Sequence, residues 1–222
     1  MVTVCWSVKG GVGVSVVSAA LALSVRDETE DATLLVDLSG DIAHVLGQPR
    51  GARRPGVGDW LASDVPEASL GGLVEELSPR LSLLDRGAPG AALQPERAPE
   101  LVAWLEAWPG SVVVDLGSAV DVRLPLLQSA SRSLLVLRLC YLGVRAACEQ
   151  PRPDGVIVVE EPGRALRSAD VASALGIAVV ARIPFDPTIS RAVDAGLLAS
   201  RMPRLLRRGL RPVVADTLEA SR

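Results

Sequence analysis

Lysine is nearly missing from this chain: of 23 lysines and arginines, 22 are arginine and only Lys9 is a lysine. Histidine is confined to His44, which excludes a histidine-based metal cluster. The three cysteines, Cys5, Cys140 and Cys148, show no paired spacing. That excludes a disulfide framework or a zinc knuckle and fits reduced thiols in a cytoplasm. Cys5 and Cys140 lie in apolar runs and read as buried structural residues. No apolar run reaches the roughly 20 residues that a bilayer span needs. The longest, Val14 to Val25, is broken by serines. It has the length of a signal-peptide core, but its glycine-rich entry favours a buried helix, and export is not expected. The formal charge of −3 gives no bulk attraction for polyanions, so nucleic acid is not expected as a partner.

What the chain does have is material for a core: 49% hydrophobic and 22% charged residues over 222 positions. That supports one packed α/β domain, 1–222, with a basic C-terminal tail at 203–222 and no linker or repeat. Apolar runs of strand length alternate with helix-length segments. Strands are expected at 2–8, 33–38, 81–87, 111–117, 133–140, 154–161 and 177–184. Helices are expected at 15–26, in "DWLASD" and "EASLGGLVEEL", in "APELVAWLEAWP" with Leu101, Trp104, Leu105 and Trp108 on one face, and in "DVRLPLLQSAS" and "GVRAACEQ". Others are expected in "SADVASALG", capped by Ser168 and ended by Gly176, and in "PTISRAVDAGLLASRM". A long Gly/Pro/Arg-rich connection, "SGDIAHVLGQPRGARRPGVG", leads out of the second strand. The alternation predicts a single doubly wound, mostly parallel sheet of about seven strands with helices on both faces.

Between the first strand and the first helix stands "KGGVGVS", residues 9–15. A glycine-rich turn at that place aims backbone N–H groups at an anion, and the helix dipole adds to the attraction. Gly10, Gly11 and Gly13 let the backbone close around phosphate, and Val12, Val14 and Val16 complete the candidate cofactor-binding stretch. Ser15 stands where a hydroxyl coordinates magnesium. The loop is an imperfect match to G-x-x-x-x-G-K-[ST]. An ammonium kept only here, in a chain of arginines, points to a compact charge close to phosphate. Asp37 and Asp115 end strands at the carboxyl edge of a parallel sheet, where ligands bind. The plainer reading of each is a helix cap or a turn. Ser39 and Asp41, just beyond Asp37, stay open between a role and none.

The loop resembles the deviant Walker A motif of the MinD/ParA family, K-G-G-x-G-K-[ST], and the likeness runs along most of the chain. "LLVDLSGD" resembles the family's second strand with its acidic end, and "VVVDLGS" its Walker B strand. "IPFDPTISRAVDAG" resembles the late segment that lines the nucleotide base. The loop variant, "SLLVLRLCYLGVRAA" and the arginine-rich composition are most similar to the actinobacterial CpaE/TadZ-like branch, relatives of septum-site and pilus-positioning proteins. The resemblance implies a P-loop NTPase fold of the SIMIBI kind and ATP or ADP with Mg2+ as cofactor. It implies a homodimer in which the lysine matching Lys9 reaches the partner's nucleotide. It assigns catalytic roles to Lys9 and Asp37, magnesium to Ser15, Asp37 and Asp115, and base contacts to Pro184 and Asp186. It also implies a protein partner in the division, pilus or secretion machinery.

Three departures cut against turnover. Val14 replaces the loop lysine that grips the phosphates; a charge-assisted contact is worth about 1.5–3 kcal/mol, roughly tenfold to a hundredfold in affinity. It also removes charge stabilisation from phosphoryl transfer. The second strand ends Asp37–Leu38–Ser39, with a serine where the family's second aspartate orients water. The strand that usually supplies an asparagine to the base ends in Glu160, Glu161 and Pro162. These changes point to a degenerate or very slow ATPase that works as a spatial-positioning or partner-docking factor. The competing reading is an active ATPase that cycles between monomer and ATP-bound dimer with Lys9 supplying the missing charge.

A dinucleotide-binding protein is a third reading. "GVGVSV" follows a strand and opens a helix, and Asp37 falls near the distance of a ribose-binding acid. Its third glycine is replaced by Val16, and Lys9 and Asp115 have no role in it. The tail places Arg201, Arg204, Arg207, Arg208 and Arg211 beside Leu205, Leu206 and Leu210. Peripheral membrane contact through this Arg201–Arg211 stretch is one expectation, as in related MinD proteins; the plainer one is a last helix with a solvated basic face. Pro212 is expected to interrupt any long helix there. The location expected is cytoplasmic, with or without membrane association.

Overall fold

A computed structural model describes residues 1–48, 54–88, 94–118 and 123–220. Residues 49–53 of the long connection, the first two residues of the helix expected from "DVRLPLLQSAS", and the last two of the basic tail lie outside the described residues. The strands are β1 (Val2–Trp6), β2 (Ala32–Asp37), β3 (Val74–Ser78), β4 (Leu81–Leu84), β5 (Gly110–Gly117), β6 (Arg132–Arg138), β7 (Gly155–Glu160) and β8 (Val179–Pro184). The helices are α1 (Val14–Glu28), α2 (Ile42–Val45), α3 (Val57–Leu61), α4 (Ala98–Glu106), α5 (Arg123–Ser129), α6 (Tyr141–Cys148), α7 (Ser168–Leu175), α8 (Pro187–Asp194) and α9 (Arg204–Glu219).

The strands form one sheet in the order β3-β4-β2-β5-β1-β6-β7-β8. All pairings are parallel except β3 with β4. The period of two along each strand sorts side chains into two core layers. Val2, Val4 and Trp6 with Leu34, Val36 and Leu38 face the layer of α4, α6 and α7. Cys5, Leu35 and Val113 face the layer of α1 and α9. The same alternation turns Asp37 and Asp115 toward α1, so two carboxylates share one face because their strands share one register: Asp37 lies opposite Asp115. Helix α1 is buried on most of its circumference, and its small residues Ala19, Ala20 and Ala22 admit close approach of sheet and α9.

The doubly wound, mostly parallel architecture is the one the alternation predicts. Several details differ. The sheet has eight strands, one more than expected: β3 comes from the segment read as helical. Gly71 and Gly72 limit the helix there to 3-10 turns over Glu67–Leu73. "VEELS" then completes the sheet as an edge, with Glu75 and Glu76 exposed. The helix after β8 ends at Asp194, where Gly196 at φ 66° turns the chain. Ser168 does not cap α7; Asp170 accepts from the Arg167 N–H at 2.7 Å, and the Ser168 hydroxyl is turned to Glu160. Gly176 ends α7 as expected, at φ 64°. Cys140 is partly exposed at the start of α6 rather than buried in a strand.

Pro212 does not break the last helix, which runs unbroken from Arg204 to Glu219. An internal proline costs about 3 kcal/mol. Against it, Leu206, Leu210, Val213 and Val214 are all buried on α1 and β8, each worth about 1.5–3 kcal/mol. The burial wins. Gly209 allows this helix to lie tight on β8, since a Cβ there would come 2.7 Å from the Arg182 carbonyl.

Strand order also decides against the dinucleotide-binding reading. That fold places its first strand beside its second, in the order 3-2-1-4-5-6. Here β5 separates β1 from β2.

Candidate functional site

A cleft of about 940 Å³ opens at the carboxyl edge of β1, β2 and β5. Its floor is the turn from Lys9 to Ser15, and its walls include Leu38, Ser39, Asp41, Arg86 and Asp194. The turn is braced from below: Ser7 N–H donates to the Gly117 carbonyl at 2.8 Å, and Lys9 N–H to Ser7 Oγ at 3.3 Å. Gly11 and Gly13 sit at φ 73° and 98°, conformations open to glycine, and no atom lies within 4 Å of where a Cβ would stand at Gly10, Gly11 or Gly13. The loop therefore presents bare backbone to open space at the head of the 15-residue helix α1. That is an anion cradle by construction.

Beneath the cradle lie the two strand-end carboxylates, both fully buried. Asp37 Oδ1 accepts from the Gly40 N–H at 2.6 Å and the Ser39 N–H at 2.9 Å, and Oδ2 from the Ile42 N–H at 2.9 Å. Ser39 Oγ lies 2.6 Å from Asp115 Oδ2, 3.0 Å from Asp37 Oδ1 and 3.2 Å from Ser15 Oγ. One hydroxyl carries one proton and cannot donate to both acids at once. Gly117 makes this arrangement possible: at φ 57° it has no side chain, and a Cβ would stand 2.9 Å from that of Ser39. Burial pushes Asp115 up to about 6; the hydroxyls of Ser15 and Ser39 pull the other way, and the charge of Asp37 adds to the rise. Burial likewise raises Asp37, against the pull of the Gly40 and Ile42 amides and the Ser39 hydroxyl.

Burial raises both carboxylates even though Asp37 accepts from three amides and Asp115 from the Gly117 N–H at 3.2 Å, so a cation between them would be stabilising. Hard oxygen donors in that number suit Mg2+, which takes one or two carboxylates and completes its shell with water and phosphate. The residues present therefore fit a magnesium–phosphate group, with Ser15, Asp37 and Asp115 as the metal side. Among the described residues no group of three or more His, Cys, Asp or Glu is placed to hold a metal.

Val14 is the misfit. The residue is 6% exposed, packing in the α1 layer of the core while also bordering the cleft. Lys9 is exposed on the cleft floor. Val12, Val16, Pro184 and Asp186 line a second cavity of about 270 Å³ that meets the cleft at Gly11, Gly13 and Asp194. Asp186 is occupied as the cap of α8, accepting from the Thr188 N–H at 2.7 Å. Phe185 and Arg138 also line this cavity, with the guanidinium 5.4 Å from the ring centroid and paired to Glu161 at 2.9 Å. The structure thus gathers Lys9 to Ser15, Asp37, Asp115 and Ser39 at one place, and sets Pro184 and Asp186 beside it. Sequence reasoning missed Arg86, Arg138 and Phe185; all three follow or end a strand at the carboxyl edge, which is the signal that points to them.

The Arg201–Arg211 face is exposed on the outer side of α9, where Arg207 pairs with Asp27 at 2.8 Å. No helix among the described residues is long and apolar enough to cross a membrane.

No protein-family model and no curated protein sequence matches this chain. Solved structures match it over nearly its whole length. A ParA family ATPase from Chlorobium tepidum is 20% identical, with 98% of this chain and 97% of that one aligned at a TM-score of 0.76. The septum site-determining protein MinD of Pyrococcus horikoshii, complexed with Mg-ADP, is 18% identical over 98% and 96% of the two chains, TM-score 0.79. A chain of the MinC:MinD cell division protein complex of Aquifex aeolicus is 16% identical over 98% and 96%, TM-score 0.77. The chain has the fold of the MinD/ParA P-loop ATPases.

Proposed function

We propose that this chain is a nucleotide-binding protein of the MinD/ParA type that hydrolyses ATP very slowly or not at all, and that acts by positioning and docking partner proteins. One observation carries the reading: an open phosphate cradle stands over a paired, costly carboxylate site, while the loop position that should bear a lysine is buried in the core as Val14. A bound nucleotide would supply the phosphate anion and, with it, Mg2+. The N–H groups of Gly10–Val16 and the Lys9 ammonium would hold the phosphates, and Ser15, Asp37 and Asp115 the metal. Pro184 and Asp186 flank the cavity into which the base would extend.

Slow turnover follows from residue chemistry. No loop lysine stabilises the transferring phosphate, and Ser39 offers only a neutral hydroxyl beside the two acids, which is not a general base. The finer expectations rest on the same reading: a deviant Walker A loop, a homodimer, a CpaE/TadZ-like role in septum, pilus or secretion machinery, and a cytoplasmic protein. Contact of the Arg201–Arg211 face with anionic membrane is supported by its exposed arginines and by Leu205, 42% exposed among them; vesicle co-sedimentation tests it.

A second reading is favoured by one feature. Lys9 lies on the cleft floor, and its ammonium has no hydrogen bond or ion pair among the described residues. It is free to take over the lost charge, within one subunit or across a dimer, in an active ATPase. Phosphate release from MgATP separates the two. Turnover at the rate of Val14→Lys supports the active enzyme; turnover at the background rate supports a binding protein.

A further inference from the structure

We propose that Arg86 is a phosphate-binding residue that forms, with Lys9, a two-cation clamp for the polyphosphate of a nucleotide, in place of the absent loop lysine. This rests on the nucleotide reading above and names a residue that neither the loop motif nor the resemblance assigns.

Arg86 follows β4 by two residues and lines the same cleft as the glycine loop, on the side of Leu38 and Ser39. Its placement is built. The main chain is pinned by the start of α3: Val57 N–H donates to the Asp85 carbonyl and Gly58 N–H to the Arg86 carbonyl, each at 2.8 Å. Two glycines make room for it. A Cβ at Gly58 would stand 2.7 Å from the Arg86 carbonyl oxygen and 3.2 Å from its Cγ, and one at Gly40 would stand 3.2 Å from its Cδ. One guanidinium nitrogen donates to the Leu38 carbonyl, which holds the head at the cleft wall.

The rest of the guanidinium is unspent. It carries five N–H donors, and the contact to Leu38 is the one it makes among the described residues. No carboxylate among those residues pairs with it. By contrast Arg26, Arg97, Arg132, Arg138, Arg164 and Arg207 all hold ion pairs shorter than 3 Å. Arg138, in the neighbouring cavity, is paired with Glu161. Nor is Arg86 the counter-ion of the buried acids: the shifts of Asp37 and Asp115 trace to burial, hydroxyls, amides and neighbouring carboxylates. A half-buried, pre-positioned guanidinium facing a cleft with its fork free matches the bidentate geometry of phosphate. The two unpaired cations of the cleft, Lys9 and Arg86, stand on its floor and its wall.

The test is calorimetric titration of wild type, Arg86→Gln and Arg86→Lys with inorganic tripolyphosphate and with ATP, both with Mg2+, alongside melting of the free proteins. The expected result is that Arg86→Gln loses roughly tenfold or more in affinity. The loss should be equal for the two ligands, because the missing contact is to phosphate, and Arg86→Lys should recover part of it. Should Arg86→Gln fail to fold, Arg86→Lys alone decides: affinity below wild type for both ligands supports the clamp, and unchanged affinity overturns it. If wild type binds and Arg86→Gln binds within twofold of it, Arg86 is only the brace of Leu38, and the nucleotide reading stands without it. If wild type binds neither ligand at millimolar concentration, the clamp and the nucleotide reading fall together.

Discussion

The two cavities that meet at the glycine loop are built to opposite rules. In the larger one polar groups are left open among the described residues: bare backbone at Gly10, Gly11 and Gly13, and cations without an ion pair at Lys9 and Arg86. In the smaller one two charged side chains already have partners inside the protein. Arg138 is paired with Glu161, and Asp186 caps α8. Groups that satisfy one another are structural; groups that do not are waiting for something. On the proposed nucleotide reading, the phosphate side of this site would be the preorganised part, and the base side would not.

The contrast between the cavities is most exposed to test at Asp115. Its carboxyl is raised from 3.8 to about 6 in the fold. A raised acid contributes stability that is fully present below the unfolded value and is lost as pH rises through the folded value. Ionising it at pH 7.5 therefore costs the free protein about 3 kcal/mol relative to an ordinary carboxyl. Asp115→Asn should melt higher than wild type at pH 7.5, and the gap should close as pH falls through 6 toward 4. It should also lose the response of the melting temperature to Mg2+ with nucleotide. A gap that is constant with pH would show that the acid is not strained.

Next in size is Val14→Lys, which adds the missing charge to a cradle that is otherwise complete. MgATP affinity should rise roughly tenfold to a hundredfold, as measured by calorimetry. No gain would mean that the apolar contacts of Val14 have closed the loop to a lysine. In the smaller cavity, Asp186→Ala removes a helix cap worth about 1 kcal/mol. The melting temperature should fall while ATP affinity holds; a fall in affinity instead would make Asp186 part of base recognition. The smallest effect expected is the choice of base: ATP and GTP should bind within about threefold of each other, because Asp186 and Arg138 of this cavity are engaged with Thr188 and Glu161.

Much of this is legible in the chain. Alternating apolar runs give away the parallel sheet because buried strands are apolar on both faces, and the strand-end position of Asp37 and Asp115 follows from that. The loop is legible because glycine clusters have few other uses between strand and helix. What escapes has physical causes. β3 is an edge strand whose exposed Glu75 and Glu76 imitate a helix face. Pro212 reads as a breaker by local propensity, which the burial of Leu206, Leu210, Val213 and Val214 overrides. Ser39 is neutral in sequence, and its place between two carboxylates depends on Gly117 of another strand. Arg86 carries no motif; only the fold brings it 48 positions back to Leu38.

The most direct measurement is the binding of MgATP and MgADP to the purified chain, set beside Lys9→Ala. Both nucleotides should bind, at least tenfold more weakly in Lys9→Ala, with phosphate release at background in both proteins. No binding at millimolar nucleotide, or binding indifferent to Lys9, would contradict a working phosphate cradle.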